Sequence, residues 1–392
     1  MQSRKYRWLL AALAMMCLVL ILAACGGGGS GGSSSGGEST ATPASGEAGL
    51  SDAQIKEEAA KLVAKAERAP TVVPESELKL KNQNIPKGKT VAFLGALAAK
   101  GIEEYFEPIK EGAEALGWTA KFYQGSIEPS KQVKFFEEIV ASKPDVFMSC
   151  CIAPSISGRF LKELKAEGTI SISCCTEKTE TENLAKLLSV PEDKLIAGEN
   201  VANYMLAEKG EELNALYVNT KDFEVSKPYA EGLKNQVAKL CPQCEVHELD
   251  VSAEDIGKPA LATTVVSYLR AHPEINYVST LVSALLAGVP AQMKAAGIEL
   301  PITATGSDAI GLEGVKEEKE GWKAVQVFGK EWGLQALNIA VRTMQNEPLS
   351  QETLTPEVLV TNKNAATASP GPGNQPVIAN ALEQYEELWG LK

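Results

Sequence analysis

Short apolar runs alternate with longer stretches of helical spacing from Lys89 onward. Thr90–Leu94 and Thr119–Tyr123 are rich in β-branched and aromatic residues, while Glu103–Leu116 and Pro129–Ser142 have apolar residues at helical intervals. This alternation is typical of βαβ units built around a parallel sheet. Right-handed crossovers place the C-terminal ends of all such strands at one edge of the sheet, where loops can form a binding site.

The alternation pauses at Thr176–Asp193 and then resumes with a second set of similar size. We therefore predict an α/β protein with two doubly wound parallel-sheet lobes joined by a hinge. The predicted divisions are an N-terminal extension (50–87), a first lobe (88–190), a second lobe (191–330) and late segments that cross back to the first lobe (331–392). Hinge strands are expected near Ser189–Pro191, Leu249–Ser252 and Phe328–Lys330.

The N-terminus has the pattern of an export signal. Three basic residues precede an apolar run, and Leu22-Ala-Ala-Cys25 closes it with small residues before a cysteine. This ending resembles the lipobox of bacterial lipoproteins, which implies cleavage after residue 24 and a lipid on Cys25. A plain N-terminal membrane anchor is the alternative. Residues 25–49 are rich in Gly and Ser, as in a flexible tether.

Charge limits the classes of partner. The formal net charge is −12, and loss of the three basic residues of the signal leaves about −15. Without a basic stripe, nucleic acid and electrostatically bound anionic lipid are not expected partners. Sequence motifs for nucleotide binding, serine hydrolysis or zinc proteolysis are also missing, so an enzyme is not expected, and neither is a cofactor or metal.

Six cysteines remain after the signal and the lipidated residue are set aside. Cys241 and Cys244 lie between a predicted helix and a predicted strand, a position that favours a structural disulfide over redox chemistry. Cys150-Cys151 and Cys174-Cys175 each follow a predicted strand, and the two strands are neighbours. Parallel neighbours lie about 4.8 Å apart, within disulfide range, so we expect a cross-strand disulfide. Four buried thiols are the alternative.

The chain resembles the type I periplasmic binding proteins of the ribose-binding-like branch, from about Gly88 to Lys363. The stretches that carry the resemblance are Lys89-Thr-Val-Ala-Phe-Leu, the aromatic pair Tyr105-Phe106, Lys294-Ala-Ala-Gly297 and Thr305-Gly-Ser-Asp308. Their order along the chain is more specific than any one of them. The resemblance implies a monomeric ABC-importer receptor that binds a sugar-like small molecule between its lobes and delivers it to a membrane permease. A ligand sensor for a membrane receptor is the alternative.

The resemblance also suggests site residues, and some of the family's polar positions are missing. Asp308 matches a carboxylate that accepts from sugar hydroxyls, and Lys227 or Tyr229 stands near the family's arginine. Gly125, Val282 and Gly329 stand where the family usually has polar side chains, so a less hydroxylated or partly aromatic ligand is also considered. The candidate ligand-binding residues are Tyr105, Phe106, Ser126, Cys150, Phe223, Lys227, Tyr229, Ser283, Asp308, Phe328 and Trp332.

Overall fold

The structure, a computed structural model, describes residues 49–392 except 97–99, 127, 153, 177–180, 189, 224, 307–308, 330, 351–353 and 368–376. Cys25 and Asp308 lie outside the described residues, as do the expected signal and nearly all of the tether. Gly49–Lys392 forms one compact unit. No helix in the described part of the chain is long and apolar enough to cross a membrane.

Strands and helices alternate through most of this unit. The strands are β1 (Thr90–Gly95), β2 (Thr119–Tyr123), β3 (Val146–Cys150), β4 (Ile170–Cys174), β5 (Lys186–Leu188), β6 (Asn214–Asn219), β7 (Glu245–Asp250), β8 (Tyr277–Thr280), β9 (Ile302–Ala304), β10 (Trp322–Phe328) and β11 (Glu357–Thr361). The helices are α1 (Asp52–Ala66), α2 (Lys100–Leu116), α3 (Pro129–Ser142), α4 (Pro154–Ala166), α5 (Pro191–Lys209), α6 (Ser226–Leu240), α7 (Pro259–Ala271), α8 (Val289–Ala295), α9 (Ala309–Lys316), α10 (Glu331–Met344) and α11 (Ala381–Leu388).

The first lobe is built on a parallel sheet with strand order β2-β1-β3-β4-β5. Its central strand β3 is buried along its whole length because helices cover both faces, which explains its apolar sequence. Cys150 and Cys174 are register partners at the ends of β3 and β4. The predicted neighbourhood of the two cysteine pairs is therefore present in the structure.

The second lobe has a sheet of strand order β11-β10-β9-β8-β6-β7. Its strands are parallel except for β11, which pairs antiparallel with β10. Helices α5 and α6 pack backbone to backbone beside this sheet, because Gly198 and Gly232 leave no side chain between them. Helix α1 packs on α5, so the N-terminal extension is attached to the second lobe at that point.

The late segments divide between the two lobes. Helix α10 packs on α2 of the first lobe, and α11 packs on α10, but β11 completes the second sheet. Residues 331–392 therefore do not return to the first lobe as one piece, because β10 is open to pairing on the side away from β9. The expected hinge at Leu249–Ser252 is wrong, since this stretch ends an edge strand and continues within the second lobe.

Cys241 and Cys244 are joined by a disulfide with an S–S distance of 2.00 Å and Cα atoms 5.4 Å apart. The pair closes the turn between α6 and β7 in the second lobe. This is the pair for which the sequence predicts a structural disulfide.

Candidate functional site

The chain passes between the lobes at three described places, which follow β5, β10 and α10. The first and third passages are tied together by Asp193, whose Oδ2 accepts hydrogen bonds from the backbone N–H (3.3 Å) and the hydroxyl (3.2 Å) of Thr355. The second passage joins the third where the N–H of Gly329 donates to the carbonyl of Pro356, at 2.9 Å. These bonds gather the three passages into one hinge.

Asp193 is almost fully buried at this hinge, with 1% of its surface exposed. Burial raises the pKa of Asp193 to about 6, although Lys194 and the hydrogen bonds from Thr355 oppose the shift. A carboxyl group with such a pKa changes its charge under mildly acidic conditions. We therefore expect the protonation of Asp193 to make the hinge sensitive to pH.

Aromatic side chains from both lobes meet at the ends of the sheets. Tyr105 comes from α2 of the first lobe, Tyr229 from α6 of the second lobe, and Phe328 ends β10. The rings of Tyr229 and Phe328 pack edge to face with centroids 6.2 Å apart. Burial, followed by the nearby Cys150, raises the pKa of Tyr105, and Tyr229 contributes in the same direction. Tyr105 is half-buried on the first lobe, and Tyr229 is buried on the second lobe.

Lys194 places a positive charge in this region. Its Nζ lies 3.8 Å from the ring centroid of Phe328 and 5.6 Å from that of Tyr229, and the residue is 1% exposed. Lysine is seldom this deeply buried unless it is paired. Burial alone would lower the pKa of Lys194, but Cys175 and Glu357 outweigh burial and raise it. The ammonium group therefore remains charged inside the cleft.

A carboxyl group from the second sheet faces the same charge. Glu357 begins β11, and its Oε2 accepts a hydrogen bond from Nε2 of Gln326 at 2.9 Å. Burial raises the pKa of Glu357 well above its usual value, with Lys194 opposing the shift. Asp193 and Lys194 are buried and Glu357 is half-buried, and of these three residues Lys194 contacts the aromatic rings.

The first lobe contributes four cysteines that form no disulfide to the cleft wall, Cys150, Cys151, Cys174 and Cys175. The expected cross-strand disulfide is not formed, so the structure has the alternative arrangement of four thiols. Cys150 and Cys151 have Sγ atoms 3.6 Å apart. Hydrogen bonds from the other three thiols lower the pKa of Cys175, and the charge of Lys194 acts in the same direction.

Two predicted aromatic residues pack inside the first lobe. Phe106 stacks on Phe122 at 5.6 Å and on Phe93 at 6.2 Å. Trp332 is 4% exposed and contacts the rings of Phe93 and Tyr105, both with centroids 5.9 Å away. These rings support Tyr105 from behind. The indole N–H of Trp332 has no hydrogen-bond partner among the described residues, so it stays a candidate donor.

Other predicted residues lie away from this region. Lys227 is largely exposed, and its Nζ lies 3.7 Å from Oε1 of Glu231. Residues two apart on a helix face nearly opposite sides, so Lys227 points to solvent because Tyr229 lies on the buried side of α6. Phe223 lines a surface pocket together with Lys227.

Two serine candidates also have local structural roles. Ser283 is buried within the second lobe against Gly311 of α9. The N–H of Ser126 donates to Oε1 of Gln132, at 2.6 Å, and its hydroxyl accepts from the N–H of Glu128, at 3.1 Å. Both bonds shape the turn before α3, so neither serine adds a free polar group to the region around Lys194.

At two of the positions where the family usually has a polar side chain, neighbouring atoms occupy the space that a side chain would need. A Cβ at Gly125 would overlap the carbonyl oxygen of Gly95, and a Cβ at Gly329 would overlap Oε2 of Glu331. Glu331 is held in place because its Oε1 accepts from the N–H of Ile378, at 2.6 Å. The backbone therefore leaves no room for a side chain at Gly125, whereas a side chain at Gly329 requires the carboxyl group of Glu331 to move.

The sequence analysis did not identify three charged residues of this region as candidates: Asp193, Lys194 and Glu357. One signal was available: Lys194 lies in the first turn of α5, where the helix macrodipole disfavours a positive charge. A lysine in that position requires a compensating partner. The sequence alone does not show that the partners come from another strand and another lobe.

A family model described as the periplasmic binding protein domain matches residues 91–348, which is more than half of the chain. No curated protein sequence matches the chain. The matched range begins in β1 and ends just after α10, so it includes the aromatic residues and Lys194.

Solved structures share the fold at low sequence identity. A solute-binding protein of an ABC transporter from Agrobacterium vitis with bound allitol has a TM-score of 0.61 and 16% identity, over 71% of this chain and 97% of that one. A 5-methylthioribose transporter solute-binding protein from Thermotoga lettingae has a TM-score of 0.63 and 15% identity, over 78% and 100%. An ABC sugar transporter subunit from Rhodobacter sphaeroides has a TM-score of 0.60 and 19% identity, over 71% and 99%.

Proposed function

The chain belongs to the periplasmic binding protein domain family, and on that basis we propose that it is the exported, lipid-anchored receptor of an ABC importer. It captures a sugar or sugar-like molecule between its lobes and delivers it to the permease. The family comprises solute-binding proteins rather than enzymes, and its fold is the type I fold of two α/β lobes seen here.

The observation that supports a ligand site most strongly is the contact of the Lys194 ammonium group with the rings of Phe328 and Tyr229. Aromatic faces pack against the C–H faces of a sugar ring, while phenol and ammonium groups donate hydrogen bonds to its oxygens. A few polar groups among apolar walls are typical of small-molecule sites. The residues carried over from the family resemblance, including Asp308, remain proposals.

Gly125 and Gly329 favour the less hydroxylated members of this ligand class. Each sugar hydroxyl that is buried without a partner costs about 1–3 kcal/mol. Because Gly125 and Gly329 cannot be replaced by polar residues without overlap, the cleft has fewer ways to pair hydroxyl groups. We therefore propose deoxy, methylated or thio-substituted sugars before simple hexoses.

Ligand binding acts on the hinge defined by Asp193, Thr355 and Gly329. Since Tyr105 belongs to one lobe and Tyr229 and Lys194 to the other, a ligand that contacts all three binds the closed form better than the open form. Such a ligand shifts the population toward closure by its difference in affinity for the two forms. The closed form then docks on the permease.

A thermal-shift screen of the full chain in mild detergent tests the ligand class, with sugars, deoxy and thio sugars, polyols, nucleosides and aromatic acids as compounds. A ligand at about 100 times its Kd adds about 2.7 kcal/mol to stability, a rise of a few degrees at this size. Lys194→Met should reduce that rise. Lys209→Met, at the other end of the same helix, is the matched control and should preserve it. No rise with any sugar, or an equal rise in both variants, would contradict the proposal.

The lipid anchor requires a separate test because Cys25 lies outside the described residues. Cells that express the chain with Cys25→Ala should release it from the membrane fraction and should not label it with a fatty-acid analogue. Cys17→Ala, inside the expected signal, is the control. Fatty-acid labelling that persists in the Cys25→Ala chain would refute lipidation at this residue.

A further inference from the structure

We propose that Cys150, Cys151, Cys174 and Cys175 bind one soft metal ion of the Zn²⁺ class on the first lobe's wall of the cleft. The sequence did not lead us to expect a metal. The proposal goes beyond the proposed function, because a metal ion here would be a resident part of the cleft wall whatever solute the cleft takes.

The backbone turns both cysteine pairs toward a common point. In a regular strand, successive side chains point to opposite faces of the sheet. Here Cys151 and Cys175, which follow β3 and β4, have left-handed φ values of 58° and 54°. A non-glycine residue in this region costs about 1–3 kcal/mol and is found where the surrounding structure requires it. Two such residues at matching positions of neighbouring strands bring all four sulfurs together.

The sulfur positions suit a thiolate metal site. The Sγ atoms of Cys150, Cys174 and Cys175 all lie within 4.8 Å of one another, and Sγ of Cys151 lies 3.6 Å from that of Cys150. Cys151 and Cys175 also interact. A tetrahedral zinc site with Zn–S bonds of about 2.3 Å has sulfurs about 3.8 Å apart. Small movements of the side chains would therefore complete the coordination.

The charge of the surroundings fits the same ion. Four thiolates around a divalent ion carry a net charge of −2, and binding releases the four thiol protons to solvent. A buried negative charge needs a positive partner. Lys194 supplies one, since its buried ammonium interacts with Cys175 and Cys151. Because Lys194 belongs to the second lobe, a metal held by the first lobe would also favour the closed arrangement.

Ligand type limits the choice of ion. Soft thiolates select Zn²⁺, Cu⁺ or iron–sulfur clusters, and hard cations such as Mg²⁺ and Ca²⁺ prefer oxygen. A site with four sulfurs around one point is typical of zinc. Disulfide formation is the competing fate of the same thiols in an oxidising compartment. The experiment must therefore separate a metal site from disulfides.

The test measures metal bound to the exported full chain, purified in mild detergent without reductant or chelator. Native mass spectrometry should find about one Zn²⁺ per chain, and replacement by Co²⁺ should give the visible absorption bands of a tetrahedral thiolate site. Cys174→Ser/Cys175→Ser should lose the ion. Cys241→Ser/Cys244→Ser is the matched control and should retain it. The single variant Cys175→Ser, at a half-buried position after β4, guards against misfolding of the double variant.

Two outcomes would overturn the proposal. One is a metal-free chain, with its four cysteines either paired in disulfides or still free after incubation with Zn²⁺. The other is equal metal content in the wild type and in both Cys175 variants. To separate this proposal from the proposed function, the sugar-induced rise in melting temperature of the wild type is measured before and after the metal is removed with a chelator. A metal-bound chain without any sugar shift contradicts only the proposed function, and a metal-free chain with a sugar shift contradicts only the metal site.

Discussion

Asp193 at the hinge should make the stability of the protein depend on pH in an unusual direction. The change to test is Asp193→Asn, which keeps an oxygen able to accept both hydrogen bonds from Thr355. The substitution removes the titrating proton while it preserves the shape of the hinge. The comparison of interest is the difference in unfolding free energy between wild type and variant as the pH changes.

The magnitude follows from the shift of the pKa from 3.8 to about 6. Between these values the folded chain binds the proton more tightly than the unfolded chain, so stability falls as the pH rises through this window. At 1.36 kcal/mol per pKa unit, the contribution is about 3 kcal/mol, present below about pH 4 and lost above about pH 6. Asp193 is 1% exposed, so solvent screening reduces this figure little.

Urea unfolding at several pH values between about 4 and 7 measures the effect. Relative to Asp193→Asn, the wild type should gain about 2 kcal/mol between about pH 7 and about pH 4, most of the full contribution of about 3 kcal/mol. Asp145→Asn is the control of opposite sign. There burial opposes the shift, but hydrogen bonds from Lys89 and Thr90 outweigh it and lower the pKa of Asp145, so the wild type should lose stability relative to that variant on acidification. Parallel curves for wild type and Asp193→Asn would refute the reasoning.

Three further predictions concern packing and covalent structure. Gly198→Ala should destabilise the chain by about 1–3 kcal/mol in urea unfolding, because the methyl group would overlap a backbone carbonyl of α6. Gly125→Asp, which introduces a polar side chain of the kind that the family resemblance implies there, should lower the melting temperature and should not strengthen sugar binding, because its side chain would overlap Gly95. Cys241→Ser/Cys244→Ser should lower the melting temperature modestly, since the loop it opens is short, and an unchanged value would show that the bond does not stabilise the turn.

The alternation of strands and helices could be predicted because it depends on local patterns. Thr90–Leu94 was expected as a strand, and β1 spans Thr90–Gly95. Strand β5 was missed because it has three residues and lies within the stretch where the alternating pattern pauses. Residues 358–361 are apolar and β-branched as in a strand, but the antiparallel pairing of β11 with β10 could not be derived from the sequence. Strand order is a matter of long-range packing, which a single sequence does not encode in its periodicity.

The site was less predictable because its charged residues have nothing unusual in their local sequence, so the sequence pattern does not mark them as part of a site. Residues 194–209 have the spacing of a helix in the sequence, whereas α5 begins at Pro191, as is favourable for proline at the first helical position. The three-residue difference moves Asp193 from a loop into the first turn of the helix, and it fixes the directions of both Asp193 and Lys194. Tyr105 and Tyr229 were found through the family resemblance. The sequence did not show which of Lys227 and Tyr229 faces the cleft, because that depends on which side of α6 is buried.

The first turn of α5 joins the hinge to the cleft. Consecutive residues on a helix point about 100° apart, so Asp193 reaches Thr355 at the hinge while Lys194 reaches Phe328 and Tyr229 in the cleft. The two side chains share one stretch of backbone, at the point where the chain enters the second lobe. A ligand or metal that interacts with the ammonium group of Lys194 therefore acts directly on the first turn of α5, the segment that must rotate when the lobes close. On this argument, Lys194→Met should weaken the coupling between binding and closure as well as the binding itself.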